Sequence, residues 1–169
     1  MKVLKGLIVL VIGFLSLQAN GQDKYRDYTL YIHNIARNMV WSGDKGSGEF
    51  IIGVYGDSKI YQYLVDLAAK KRISGRKVVV EKYTNMADFS KANILFVPEN
   101  KTADLYKFVS LATAKSTLIL TESPGACKKG AGANLLTNGN KIDFELNIAA
   151  LKKANLKINS QLASYAKAF

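Results

Sequence analysis

Gly56-Asp57-Ser58 follows directly on the apolar run from Phe50 to Tyr55, and a serine at the end of a strand is a place where a nucleophilic hydroxyl can work. A serine nucleophile also needs a base to take its proton, and His33 is the only histidine in the 169-residue chain. His33 lies upstream of Ser58 on a predicted helix, an unfamiliar order, so helix capping is the better reading of Ser58. Cys127 is the sole cysteine. It can form no internal disulfide; Lys128 and Lys129 beside it would favour a thiolate, but a lone cysteine is more often buried and inert. One histidine and one cysteine exclude zinc sites built on clusters of the two, and no carboxylates stand at metal-ligand spacing. Neither a metal nor a cofactor is expected. The glycine pairs in Gly46-Ser47-Gly48 and Gly130-Ala131-Gly132 each precede a strand, whereas a phosphate loop leads from a strand into a helix, so both read as turns. No residue is assigned a catalytic role.

The chemistry that remains is binding. In an open α/β sheet, the loops after the carboxyl ends of parallel strands converge on a crevice. Here they carry Asp57 and Ser58, Glu99 and Asn100, and Thr121, Glu122 and Ser123, which could hold a small polar ligand or serve only as caps and turns. Trp41, the one tryptophan, reads as a partner anchor or as a lid over the core.

These residues need a frame. Tyr28, Tyr31, Ile35 and Met39 recur at helical spacing and predict an amphipathic helix from Lys24 to Trp41, with His33 and Arg37 on a polar or half-exposed face. Ser42 to Gly48 breaks it. Phe50 to Tyr55, bounded by glycines, predicts a strand buried on both faces and hence a parallel sheet. Asp57 or Ser58 can cap a helix from about Lys59 to Lys71, with Ile60, Tyr63 or Leu64, and Leu67 facing inward. A Ser74-Gly75 turn leads to a strand over Lys77 to Lys82, followed by strands over Ile94 to Val97 and Thr117 to Thr121. Between the last two, Leu105, Phe108, Val109 and Ala112 mark a helix from about Thr102 to Thr113. Ala133 to Thr137 and Lys141 to Leu146 flank Asn138-Gly139, a hairpin signal. Asn147 can cap a short helix to Ala154, Asn155 can close it in the left-handed region, and Ser160 can cap the last helix. The expected fold is a three-layer α/β sandwich: a mostly parallel open sheet with a C-terminal antiparallel hairpin and helices on both faces.

Ahead of this domain, Leu7 to Leu17 is an apolar run behind Lys2 and Lys5, and Ala19-Asn20-Gly21 has the small-x-small pattern of an export cleavage site. Residues 1–21 therefore read as a signal peptide and 22–169 as one domain starting at Gln22. The run is shorter than the roughly 20 residues that span a bilayer, and a retained anchor is the alternative. Hydrophobic residues make up 49% of the chain and charged residues 22%, which argues against disorder. Of 24 lysines and arginines two lie in the leader, and against 13 acids the remainder leaves +9 on residues 22–169. The cations are dispersed, with short clusters at Lys70-Lys71-Arg72, Lys128-Lys129 and Lys152-Lys153 and no nucleic-acid motif, so nucleic acid is not an expected partner.

The order of segments has a parallel. Tyr31-Ile32-His33-Asn34-Ile35-Ala36 running to Val40-Trp41, then Phe50-Ile51-Ile52-Gly53-Val54-Tyr55-Gly56-Asp57, then Asn93-Ile94-Leu95-Phe96-Val97, resembles the YfiR family of exported bacterial proteins. Ile142 to Ala150 followed by Leu156 to Leu162 is similar to that family's ending. The shared pattern marks Trp41, Gly53, Gly56, Asp57, Phe144, Asn147, Leu156, Ser160 and Leu162, mostly residue types for packing, turns and caps. The resemblance implies a periplasmic regulator without catalysis of its own. It would act on the periplasmic sensor part of an inner-membrane signalling protein, a diguanylate cyclase of the YfiN type or a sensor kinase, and lower cyclic-di-GMP output. A homodimer and an outer-membrane lipoprotein partner are implied too. Relatives often carry cysteines, one near the position of Ala92-Asn93, and with Cys127 alone this chain has no intramolecular redox switch. Gly130 to Leu136 is only loosely like the family's segment, and Asn155 stands where a glycine is usual. A small-ligand-binding sensor using the strand-end crevice is the other reading.

Overall fold

A computed structural model describes residues 23–41 and 43–168; the leader expected over residues 1–21 lies outside them. Asp23 opens the first helix, α1 (Lys24–Arg37), by accepting the Tyr25 amide at 3.1 Å. The helix stops earlier than its apolar spacing predicts. The Asn38 amide closes it on the carbonyls of Asn34 and Ile35, and Met39–Val40 becomes a strand, β1. β1 pairs antiparallel with β9 (Lys157–Ile158) from the far end of the chain. Met39 is in the core as its spacing required, but from a strand.

Four strands parallel to one another make the centre of the sheet: β2 (Phe50–Tyr55), β4 (Arg76–Tyr83), β5 (Ile94–Val97) and β6 (Leu118–Thr121). A two-residue strand, β3 (Arg72–Ile73), folds back antiparallel on β4 through the Ser74-Gly75 turn. β7 (Ala133–Asn138) continues the sheet parallel to β6, and β8 (Lys141–Leu146) returns antiparallel. Lys167–Ala168, β10, adds a parallel edge to β8. The spatial order is β10-β8-β7-β6-β5-β2-β4-β3.

Side chains alternate across the central strands, as pleated backbone requires. Ile52, Ile94, Phe96, Leu118, Leu120 and Leu135 face α1 and join its Tyr28, Ile32 and Ile35, with α2 (Ile60–Lys70) supplying Ile60 and Leu64. Leu95, Val97 and Ile119 face the opposite layer, where α3 (Leu105–Lys115) supplies Leu105, Phe108 and Ala112. The three-layer α/β arrangement is therefore present, with helices on both faces.

Several local expectations shift. Neither Asp57 nor Ser58 caps α2: the capping position is Lys59 with no side-chain bond, Asp57 pairs with Lys82, and Ser58 offers only its carbonyl to the Tyr61 amide. A 3-10 segment, Glu99–Asp104, precedes α3 where the helix was expected to begin at Thr102. The hairpin turn sits on Gly139-Asn140, since Asn138 pairs with Lys141 and Gly139 takes the positive φ of +59°. α4 (Ile148–Lys153) is capped by Asn147 through the Ala150 amide at 2.8 Å, and Asn155 follows at φ +55°. α5 (Ser160–Tyr165) is capped by Asn159 instead of Ser160; Ser160 is its first helical residue.

Candidate functional site

The carboxyl ends of β2, β5 and β6 do converge on an open crevice of about 440 Å³. Asp57, Ser58, Glu99, Asn100 and Glu122 line it, joined by Pro98 and Lys59. Thr121 and Ser123 are spent elsewhere. The Thr121 hydroxyl and the Ser123 amide both donate to Asn134 Oδ1, at 2.7 and 3.1 Å. Asn134 Nδ2 in turn donates to the Ser123 carbonyl and to Glu145, each at 2.9 Å, so this polar cluster ties β6 to β7 and β8.

Lys24 and Tyr25, from the first turn of α1, complete the crevice and were not anticipated. Lys24 Nζ lies 2.8 Å from one oxygen of Glu122, whose side chain is only 4% exposed, and the Tyr25 hydroxyl donates to the other at 3.4 Å. Partial burial pulls the Lys24 pKa down, but the hydrogen bond and charge of Glu122 outweigh it and the net shift is upward. Burial, reinforced by the same carboxylate, raises the Tyr25 pKa. Asp57, fully exposed, is held below the usual carboxylate range by its hydrogen bond to Lys82. No signal in the apolar spacing of α1 pointed to the crevice; its polar first turn is brought there only by packing.

Among the described residues of the crevice no base contacts the Ser58 hydroxyl. Ser58 Oγ is buried there without a hydrogen-bond partner among the described residues. His33, expected half-exposed, is buried, and its Nε2 donates to the Arg72 carbonyl at 3.1 Å. It misses the expected face because β3 packs beside α1, at the opposite end of the sheet from Ser58. Cys127 is fully buried; burial first, then the nearby charge of Glu145, pushes its thiol up to about 12, so the neighbouring lysines do not activate it. Among the described residues no group of His, Cys, Asp and Glu could hold a metal ion.

At the amino end of the sheet the polar groups fasten the 43–49 loop. Arg76 donates to the carbonyls of Lys45, Ser47, Gly48 and Glu49 while lying over the Phe50 ring. Asn93 accepts the Ile51 amide at 3.0 Å and donates to the Lys45 carbonyl at 2.9 Å, and Lys45 Nζ donates to Ala92 O and Thr117 Oγ1. Burial lowers the Lys45 pKa to about 8, with the charge of Lys115 adding to it. Trp41 sits in the core: its ring meets Phe50 edge-on at 4.9 Å, and Nε1 donates to the Asn93 carbonyl. Of the other pattern residues Asp57 and Ser160 are exposed, and the rest serve packing, turns or caps. Gly53 faces the Tyr83 ring, Gly56 turns at φ +70°, Phe144, Leu156 and Leu162 are buried, and Asn147 Nδ2 donates to the Cys127 carbonyl at 2.7 Å.

Fold and crevice together define an open-sheet α/β domain with a polar strand-end cleft. Several solved structures share the fold. A conserved domain protein from Vibrio cholerae O1 biovar El Tor superposes with TM-score 0.61 at 15% identity, and the ABC domain in complex with L-Trp from Streptococcus pneumoniae with TM-score 0.55 at 12% identity. Each comparison covers 85% of this chain, which spans 59% of either of those longer chains. No curated protein matches. The YfiR/HmsC-like family model matches residues 28–167, and the chain belongs to that family. Among the described residues no helix is long and apolar enough to cross a membrane.

Proposed function

We propose that this protein is an exported, non-catalytic regulator that binds the periplasmic sensor part of an inner-membrane signalling protein and holds it inactive. A diguanylate cyclase of the YfiN type is the receptor that fits best, with cyclic-di-GMP output falling when the complex forms. The observation that carries the reading is the family match over residues 28–167, which spans both layers of the core. The inert thiol of Cys127 and the separation of His33 from Ser58 support a role in binding. An inhibitor works by preferring the inactive receptor; taking a two-state receptor from 1:99 to 99:1 requires a preference of about 10⁴-fold. Homodimerisation and contact with an outer-membrane lipoprotein belong to the same proposal.

Deleting the gene should raise cellular cyclic-di-GMP, restoring it should reverse the change, and a tagged copy should recover one inner-membrane cyclase or sensor kinase from solubilised membranes. Unchanged cyclic-di-GMP together with no signalling protein recovered would refute the reading. Turnover of any substrate by the purified protein, lost in Ser58→Ala, would refute its non-catalytic part.

The buried, unpartnered Ser58 hydroxyl favours a second reading, a small polar ligand in the crevice. A thermal-shift screen should then find compounds that stabilise the wild type and lose their effect in Ser58→Ala and Asp57→Ala. Equal shifts in all three proteins would reject the crevice.

A further inference from the structure

β4 is the last long strand of the sheet, and among the described residues no strand covers most of its outer side, where Val78 is buried, Val80 half-buried and Lys82 exposed. β3 pairs there with Arg76 and Lys77 only, so residues 78–83 have no strand beside them on that side among the described residues. The Tyr83 carbonyl accepts the Gly56 amide on the β2 side at 2.7 Å. Backbone polar groups alternate in direction along a strand, which turns those of Val78, Val80 and Lys82 outward. Such an edge is a template for another strand.

Beside the edge runs a groove of about 560 Å³ between α2 and β4. Val65, Val78 and Val80 form its apolar floor, and Lys70, Lys71 and Arg72 its rim. Lys77 adds a fourth cation, and no acidic residue lines the groove. Lys77 and Lys82 are already paired, with Glu49 and Asp57. The Lys70-Lys71-Arg72 cluster has no such partner among the ion pairs of the described residues, so its charge is available to an incoming group.

We propose that the outer edge of β4 docks an extended, acidic segment of another protein, which adds to the sheet as a further strand. The added backbone bonds to Val78, Val80 and Lys82, alternate apolar side chains enter the groove, and carboxylates meet the basic rim. A second copy of this chain is the poorer occupant, because the edge it would bring carries the same basic cluster and no acidic lining, and so offers the rim no excess of carboxylates. The proposal rests on the regulator reading for a protein partner, and it names the surface used.

The probe is a fluorescein-labelled eight-residue peptide of alternating valine and glutamate, titrated into the purified protein. It should bind about tenfold or more tighter than the same peptide with lysine for glutamate, and alternate N-methylation or Lys71→Glu should each weaken it about tenfold. On saturation the amides of Val78, Val80 and Lys82 should exchange with solvent about tenfold more slowly, a readout that uses the unaltered protein. Val80→Pro removes an outward donor without touching the β2 ladder and should abolish binding. Equal affinity for both peptides, or unchanged exchange at those three amides, overturns the proposal. So does a concentration-dependent dimer that Val80→Pro dissociates, or binding to anionic vesicles with no peptide preference. Recovery of a membrane signalling protein by Val80→Pro as well as by wild type overturns this surface and leaves the regulator reading standing. Specific peptide binding with no signalling protein recovered does the reverse.

Discussion

Replacing Gly53 by alanine tests whether this position is held by packing or kept free for a partner. A Cβ built there lies 2.5 Å from Tyr83 Cε2, 2.8 Å from Cδ2 and 3.1 Å from Leu95 Cδ1. Carbon atoms pack best at about 3.5–4.0 Å, so the methyl group overlaps the ring by about 1 Å. The ring cannot swing away freely. Tyr83 is 8% exposed, its hydroxyl is held by Glu81 and its carbonyl by the Gly56 amide. Gly53 has no positive φ, so backbone strain adds nothing and the cost is overpacking, about 1–3 kcal/mol. For a chain of this size each kcal/mol lowers the melting temperature by about 2–4 °C. Wild type, Gly53→Ala, Tyr83→Leu and the double variant should be compared by urea unfolding followed by circular dichroism. Removing the ring removes the clash, so the double variant should be more stable than the sum of the single effects predicts, by about 1 kcal/mol or more. A Gly53→Ala protein within about 0.5 kcal/mol of wild type, or strict additivity, would refute the reasoning.

Asn147→Ala removes both the α4 cap and the bond to the Cys127 carbonyl and should cost about 1–2 kcal/mol with an unchanged urea slope. A loss below about 0.3 kcal/mol would show that water replaces both bonds. Cys127 should resist an aromatic disulfide reagent at pH 7.5 until the chain unfolds, because its thiol is buried and protonated; rapid labelling of the native protein would contradict this. Lys45 titrates at about 8 in the folded chain against 10.5 unfolded, so the unfolded state holds the extra proton between those values. Stability should therefore rise with pH from about 8 toward 10.5. The side chain is only partly removed from water, which reduces the rise to the order of 1 kcal/mol. Lys45→Met lacks that titration, and parallel pH curves for the two proteins would sink the assignment.

What the amino-acid order determined by itself was whatever neighbours along the chain can decide. Unbroken apolar runs marked β2 and β5 to the residue, because a strand covered on both faces needs apolar side chains in either direction. Asn147 announced its cap because the acceptor and the amide it serves are three residues apart. The convergence of Asp57, Ser58, Glu99 and Asn100 was legible too, since it follows from parallel strand order alone. Tertiary structure decided the rest. Met39 and Val40 read as helix until Lys157 and Ile158 arrived to pair with them. Thr121 looked free for a ligand, yet Asn134 takes its hydroxyl. His33 went inside because β3 offered a carbonyl 39 residues away. Lys24 and Tyr25 reached the crevice because α1 docks with its first turn over Glu122, 97 residues from Tyr25. Each of these depends on a partner distant in sequence, and a local pattern holds no information about which distant group will fill a given space or meet a given hydrogen bond.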